Sequence, residues 1–141
     1  EWHLWRLKMI EKSSALIINK NCELLVVKKR SNDSHYILPG GKLDPFEKPE
    51  EALIREVKEE LGVNVVDFKF VDTVIEKSQF EDVSLKMYLF ETTISGMPIA
   101  SSEISCIQWI NILSYVPTED LATGITTYAI PYLKSKYSEN G

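Results

Sequence analysis

The sequence predicts an α/β sandwich, with a central mixed β-sheet between helices, and three observations carry it. Short β-branched and apolar runs recur along most of the chain, one central segment has the 3.6-residue periodicity of an amphipathic helix, and a second helical pattern lies near the end. With 141 residues there is room for one domain with a real core and too little for two typical ones, so residues 1–141 are read as a single domain.

The first ten residues, EWHLWRLKMI, carry Trp2, His3 and Trp5. A base-stacking platform or a dimer contact is conceivable, but aromatics usually serve packing, and an edge strand is the favoured reading. From Ser14 to Arg30 the pattern is strand, turn, strand: ALIIN, Lys20-Asn21, then ELLVVKKR, which reads as a hairpin. Lys28, Lys29 and Arg30 end its second strand, either as solvated surface or as partners for phosphate. SNDSH (31–35) reads as a loop, and Tyr36-Ile37-Leu38 as a short strand.

Pro49 to Leu61 is the clearest helix. Pro49 suits a first helical position, Glu50 and Glu51 the positive end of the helix dipole, and Gly62 a left-handed stop. Leu53, Val57 and Leu61, with Ile54 at the edge, form a stripe suited to burial. After the helix, Val65–Glu76 and Ser84–Ile94 alternate as strands around a polar tip holding Phe80, and the second strand has the character of one buried on both faces. Ser95-Gly96 marks a turn and Ile107–Ile110 a last short strand. The tail from Pro117 to Tyr137 holds a helix, kinked or restarted at Pro131.

Apolar residues make up 44% of the chain and charged residues 26%, ordinary for a globular protein. The net charge of −5 argues against a protein held to nucleic acid by counterion release, although bound metal ions can invert the local field for a polyphosphate. Cys22 and Cys106 match no metal spacing; they read as free thiols of a reducing, cytoplasmic compartment, with one disulfide left open. No apolar run of about 18 residues and no charged-then-apolar leader is present, so no membrane partner is expected. Because the chain starts at Glu1, a leader ahead of it stays open.

The chemistry concentrates on one helix edge. Glu56, Glu59 and Glu60 are three and four residues apart, which places three carboxylates on one side of the helix. Like charges at that spacing cost a few tenths of a kcal/mol per pair, and a divalent cation is the natural compensation. A solvated Glu-rich face is the bland alternative. Ahead of the helix, Leu38-Pro39-Gly40-Gly41 can bring backbone carbonyls close to a metal or a phosphate. Three glutamates and a glycine carbonyl meet the oxygen-rich demand of magnesium.

The full stretch decides between these readings. Gly41, Glu47, Arg55-Glu56, Val57, Glu59-Glu60, Gly62 and Val63 fill every position of G-x5-E-x7-R-E-U-x-E-E-x-G-U, with U aliphatic. From average residue usage such a match arises by chance at below roughly one starting position in 10^9. The chain therefore resembles the Nudix hydrolases, the MutT-like family, over residues 14–113. The resemblance implies the Nudix fold and hydrolysis of a pyrophosphate bond in a nucleoside diphosphate linked to another moiety, with Mg2+ as cofactor and Mn2+ as a substitute.

Residue by residue, the resemblance implies Glu56 and Glu60 as principal metal ligands, Glu59 as a ligand or activator of water, and the Gly40 carbonyl as a further ligand. Arg55 would orient the carboxylates and pair with Glu47; Glu47 and Gly62 would be structural. Arg30, Gly41 and Lys42 are the candidate substrate contacts. Glu103 precedes Trp109 with five residues between, a spacing at which MutT-like proteins often complete the metal site, so it joins the candidate catalytic and metal set. Which glutamate is the general base stays open.

The insertion-free chain fits a nucleoside triphosphate pyrophosphohydrolase releasing NMP and pyrophosphate best. The proline that often marks ADP-ribose hydrolases is missing between Val65 and Met97. The asparagine with which MutT reads oxidised guanine has no counterpart in LATGI (121–125), which counts against a strict oxidised-dGTP role. Nucleotide sugars, dinucleoside polyphosphates, a non-catalytic nucleotide-binding domain and a homodimer remain as alternatives.

Overall fold

The computed structural model describes residues 8–77, 83–118 and 120–138; the expectations for Trp2, His3 and Trp5 and for the Phe80 tip lie outside the described residues. In chain order come β1 (Lys8–Leu16), β2 (Glu23–Lys29), β3 (Asn32–Ile37), β4 (Gly40–Lys42), α1 (Pro49–Leu61), β5 (Asn64–Lys77), β6 (Val83–Ser95) and β7 (Ile104–Asn111). A π-helical segment (Gly124–Ala129) then runs into α2 (Ile130–Ser138).

The strands form two sheets. One is mixed, in the order β4-β1-β6-β5, with β1 parallel to β6 and antiparallel to β4. The other is antiparallel, in the order β3-β2-β7. Successive strand residues point to opposite faces, and the core follows that rule. Ala15, Ile17, Leu25, Val27 and Phe90 pack with Leu53, Val57 and Leu61 of α1. Their neighbours Leu16, Leu24, Val26 and Leu89 pack with Ile125, Ile130 and Leu133 at the C-terminal helix. The result is sheet between helices, the expected α/β sandwich.

Helix α1 begins and ends as its sequence dictates. The Lys48 N–H donates to the Glu51 carboxylate at 2.9 Å, and Pro49 occupies the first turn. Gly62 adopts φ 67° and donates its N–H to Lys58 O at 3.0 Å. Ala52, Leu53, Val57 and Leu61 are buried, but Ile54 is 45% exposed, so the apolar stripe is narrower than its composition suggests.

Three expectations need correction. The hairpin of residues 14–30 exists only at its tip: Ile18 bridges Leu24, Leu25 N–H bonds Ile17 O at 2.9 Å, and Asn19 Oδ1 accepts from the N–H groups of Asn21 and Glu23. Below that tip the two strands part into different sheets, and β1 takes β6 and β4 as partners. Residues 31–35 are not simply a loop, because Asn32–His35 belong to β3, an edge strand whose polar residues are exposed and show no alternation to betray it. Third, Leu38 falls just beyond β3.

At the C-terminal end Pro131 lacks the N–H that an α-turn would use. Just before it the chain widens, and Ile130 N–H bonds back five residues to Ile125 O. Glu91 of β6 anchors α2, accepting hydrogen bonds from Tyr132 and from Lys136, the latter at 2.6 and 2.9 Å. Cys22 and Cys106 are free thiols. Among the described residues, no helix is long and apolar enough to cross a membrane.

Candidate metal centre

Four elements converge where β4 meets α1. Strand β4 pairs with β1 through Ser13↔Gly41 and Ser14↔Gly40, which lays the two glycines along the acidic edge of α1. Both positions exclude a side chain. Gly40 has φ +140°, and a Cβ there would stand 1.9 Å from Ser13 O. A Cβ on Gly41 would stand 2.4 Å from the Glu56 carboxylate carbon. The absence of side chains lets a carboxylate lie against the backbone.

One carboxylate oxygen from each of Glu56, Glu60 and Glu103 lies within 4.8 Å of the other two. Glu56 and Glu60 share a helix edge, whereas Glu103 arrives from 43 residues further along the chain. Its loop is tied on both sides: Ser101 N–H bonds Glu60 O at 3.0 Å, and Arg30 N–H bonds Glu103 O at 2.7 Å. The side chain of Glu103 is 51% exposed and that of Glu60 only 1%.

Glu60 has an unusual environment. One oxygen accepts the Gly40 N–H at 2.9 Å; the other is buried with no hydrogen-bond partner. Its nearest cation is Lys29 Nζ at 3.8 Å, which also stands 3.4 Å from Glu103. Burial pushes the Glu60 carboxyl up to about 7 against the opposing pull of the Gly40 N–H and Lys29, with Glu56 adding repulsion. A buried polar atom left unpaired costs about 1–3 kcal/mol. A hard cation fits this donor set. The three oxygens, within 4.8 Å of one another, would reach a shared ion by side-chain adjustment.

Arg55 holds the acidic face in place. Its Nε and Nη2 donate to Glu47 at 2.9 and 2.8 Å, Nη1 to Glu56 at 2.7 Å, and Nη2 to Lys42 O at 3.0 Å. The forked guanidinium thus joins the loop between β4 and α1 to the helix, as its pairing with a carboxylate from each allows. Hydrogen bonds from Arg55 and from the Asp44 N–H bring Glu47 down to about 2, and the Glu47 and Glu56 carboxylates push Arg55 up in turn.

The remaining candidates fall around this cluster. Glu59 is 53% exposed and, among the described residues, pairs with Arg55 Nη1 at 3.5 Å; it is not one of the three grouped carboxylates. Lys42 is exposed and reaches the site through its carbonyl. Arg30 is exposed, with Nε 3.5 Å from Ser102 O. Strand alternation turns Lys29, rather than Arg30, toward the carboxylates, while Lys28 lies 4.5 Å over the Tyr36 ring.

Two residues escaped the sequence reading. Lys12 of β1 and Glu76 of β5 lie in electrostatic range of each other, and Lys12 also in range of Glu56, Glu60 and Lys29. Burial, and then Lys29, lower the Lys12 ammonium, while the glutamates pull it back up. Glu76 buries an oxygen with no hydrogen bond. Only the sheet order brings these residues together, so no local pattern could have found them.

The NUDIX domain model matches residues 11–128. Over 86 residues the chain is 31% identical to an 8-oxo-dGTP diphosphatase of Proteus vulgaris, a match covering 58% of this chain and 76% of that protein. Over 79 residues it is 32% identical to the 8-oxo-dGTP diphosphatase of Escherichia coli strain K12, covering 53% of this chain and 57% of that one. The MutT protein of Methanosarcina mazei Go1 superposes with a TM-score of 0.73 at 23% identity, over 94% of this chain and 96% of the other, a likeness of fold.

Proposed function

This chain belongs to the Nudix hydrolase family, and on that premise we propose that it is a Mg2+-dependent nucleoside triphosphate pyrophosphohydrolase, releasing NMP and pyrophosphate. The observation that carries the reading is Glu60, which buries one oxygen with no hydrogen-bond partner and belongs to a group of three carboxylates.

In this reading Glu56, Glu60 and Glu103 hold the cation, with Mn2+ as a substitute, and the Gly40 carbonyl adds to the set. The bound ion supplies neutralisation of the phosphate oxygens and activation of the attacking water. The residues of the chain do the rest. Gly40 N–H holds one oxygen of Glu60 and leaves the other buried without a hydrogen-bond partner. Arg55 keeps Glu56 against Gly41. Glu59 and Glu103, the more exposed of the four acids, are the candidates to accept a proton from water. Lys29, 3.8 Å from Glu60 and 3.4 Å from Glu103, balances part of the negative charge of the two carboxylates. The two free thiols suit a reducing, cytoplasmic setting.

The 8-oxo-dGTP diphosphatases among its relatives make oxidised dGTP a first compound to test. The stretch 121–125 lies beside Tyr36, with Leu121 bridged to it, and offers no asparagine side chain there. We therefore propose a broader triphosphate preference over a strict oxidised-guanine one. A panel of dNTPs, NTPs, 8-oxo-dGTP, NDP-sugars, ADP-ribose and dinucleoside polyphosphates, each with and without Mg2+, tests this. Metal-dependent release of pyrophosphate from triphosphates is the expected result; turnover confined to another class, or none, would overturn it.

A further inference from the structure

We propose that Lys12 is a polyphosphate-binding residue of this site, its ammonium taking phosphoryl oxygens of the substrate on the β1 side of the carboxylate cluster. This rests on the reading of the chain as a hydrolase of pyrophosphate compounds.

The position comes first. Lys12 pairs in register with Lys42 of β4 on one side and Met87 of β6 on the other. The next two residues, Ser13 and Ser14, lie against Gly41 and Gly40. Lys12 thus adjoins the glycine strand that Glu56 and Glu60 lean upon. No other cationic side chain in β1 is so placed: Lys8 is exposed at the far end of the strand.

Lys12 is half-buried, yet among the described residues no carboxylate lies within 4.0 Å of its ammonium and it makes no side-chain hydrogen bond. A charge taken from water without a partner is costly. Of the three acids in electrostatic range of Lys12, Glu76 forms no ion pair with it among the described residues, and the other two are engaged elsewhere. Glu56 is held by Arg55, and Glu60 by the Gly40 N–H with Lys29 alongside. Lys29 therefore already does what a simple counter-charge would do, bridging Glu60 and Glu103.

A second ammonium beside a cation site weakens binding of that cation by repulsion. Such a charge makes sense where an anion must enter together with the metal. Lysine is a point-charge ligand for phosphate, and its flexible stem can lie along the strand while the head reaches out. Phosphate oxygens bound between the metal and Lys12 would supply the missing partner.

Calorimetry of inorganic pyrophosphate binding in the presence of Mn2+, on the full chain, tests this without any turnover. Lys12→Met keeps the stem, and Lys12→Arg keeps the charge. The expected result is at least tenfold weaker pyrophosphate binding in Lys12→Met, largely restored in Lys12→Arg, with Mn2+ binding alone unchanged or tighter. For the substrate found by the panel, KM should rise at least tenfold with kcat within about threefold. If pyrophosphate affinity stays within twofold of wild type while only thermal stability or Mn2+ affinity moves, Lys12 is a structural counter-charge and the proposal fails. If the wild-type protein binds pyrophosphate but hydrolyses nothing on the panel, the hydrolase reading fails while the Lys12 comparison still stands. Pyrophosphate binding to neither protein would overturn the Lys12 assignment itself.

Discussion

Glu60 gives one carboxylate oxygen to the Gly40 N–H at 2.9 Å and buries the other with no hydrogen-bond partner. The side chain is 1% exposed, and its carboxyl is pushed up to about 7. A folding core does not need such an arrangement; a cation site does.

Glu60→Gln keeps the shape and removes the charge. Turnover should fall by at least 10^3, and the rise in melting temperature on adding Mg2+ or Mn2+ should disappear. Above pH 7 and without metal, the variant should melt no lower than wild type, because a buried charge whose nearest cation stands 3.8 Å away has gone. Near-normal turnover would refute the assignment of Glu60 to the metal centre.

Stability of the metal-free protein should vary with pH in a defined window. Glu60 has an ordinary value of 4.5 and is raised to about 7 in the fold. Between those values the folded state holds a proton that the unfolded state has lost, so this group's contribution declines as pH rises from 4.5 to 7. Melting curves in chelator should show that loss, and saturating Mg2+ should reverse it at pH 7–8. The same trend in Glu60→Gln would assign it to another group.

Arg55→Ala should lower turnover less than Glu60→Gln does. It also removes the ties to Glu47, Glu56 and Lys42 O, costing on the order of 1.5–3 kcal/mol of stability. Chemical denaturation measures the second effect and steady-state kinetics the first. Arg55→Lys should recover little of either, because an ammonium cannot span the two carboxylates as the fork does.

Substitution separates the two glycines of β4. Gly40→Ala places a Cβ 1.9 Å from Ser13 O in a backbone of φ +140°, so the strand pairing itself must give way and soluble yield should collapse. In Gly41→Ala the clash is with the Glu56 carboxylate at 2.4 Å, a side chain that can swing aside. That variant should fold, retain most of its melting temperature and lose metal binding. Intact Mn2+ affinity in Gly41→Ala would show that Glu56 does not need its place against the backbone.

Much of this site was legible in the sequence because it is local. Glu56, Glu59, Glu60 and Arg55 share one helix, whose periodicity, proline start and glycine stop fix which way each side chain points. What depended on sheet topology was not legible. β1 leaves its apparent hairpin partner to pair with β4 and β6, and those pairings bring Lys12 to the glycine strand and Glu76 within its electrostatic range. The preference for Arg30 over Lys29 rested on resemblance; strand alternation, a period of two, turns Lys29 inward. β3 was hidden because its four exposed polar residues carry no alternation and are held by pairing with β2.

Phosphorus NMR of a nucleoside triphosphate incubated with the protein and Mg2+, beside Glu60→Gln and a metal-free control, tests the central claim most directly. Pyrophosphate and nucleoside monophosphate are expected from the wild-type protein with metal, and an unchanged triphosphate in both controls. Orthophosphate with nucleoside diphosphate, or equal product from Glu60→Gln, would contradict it.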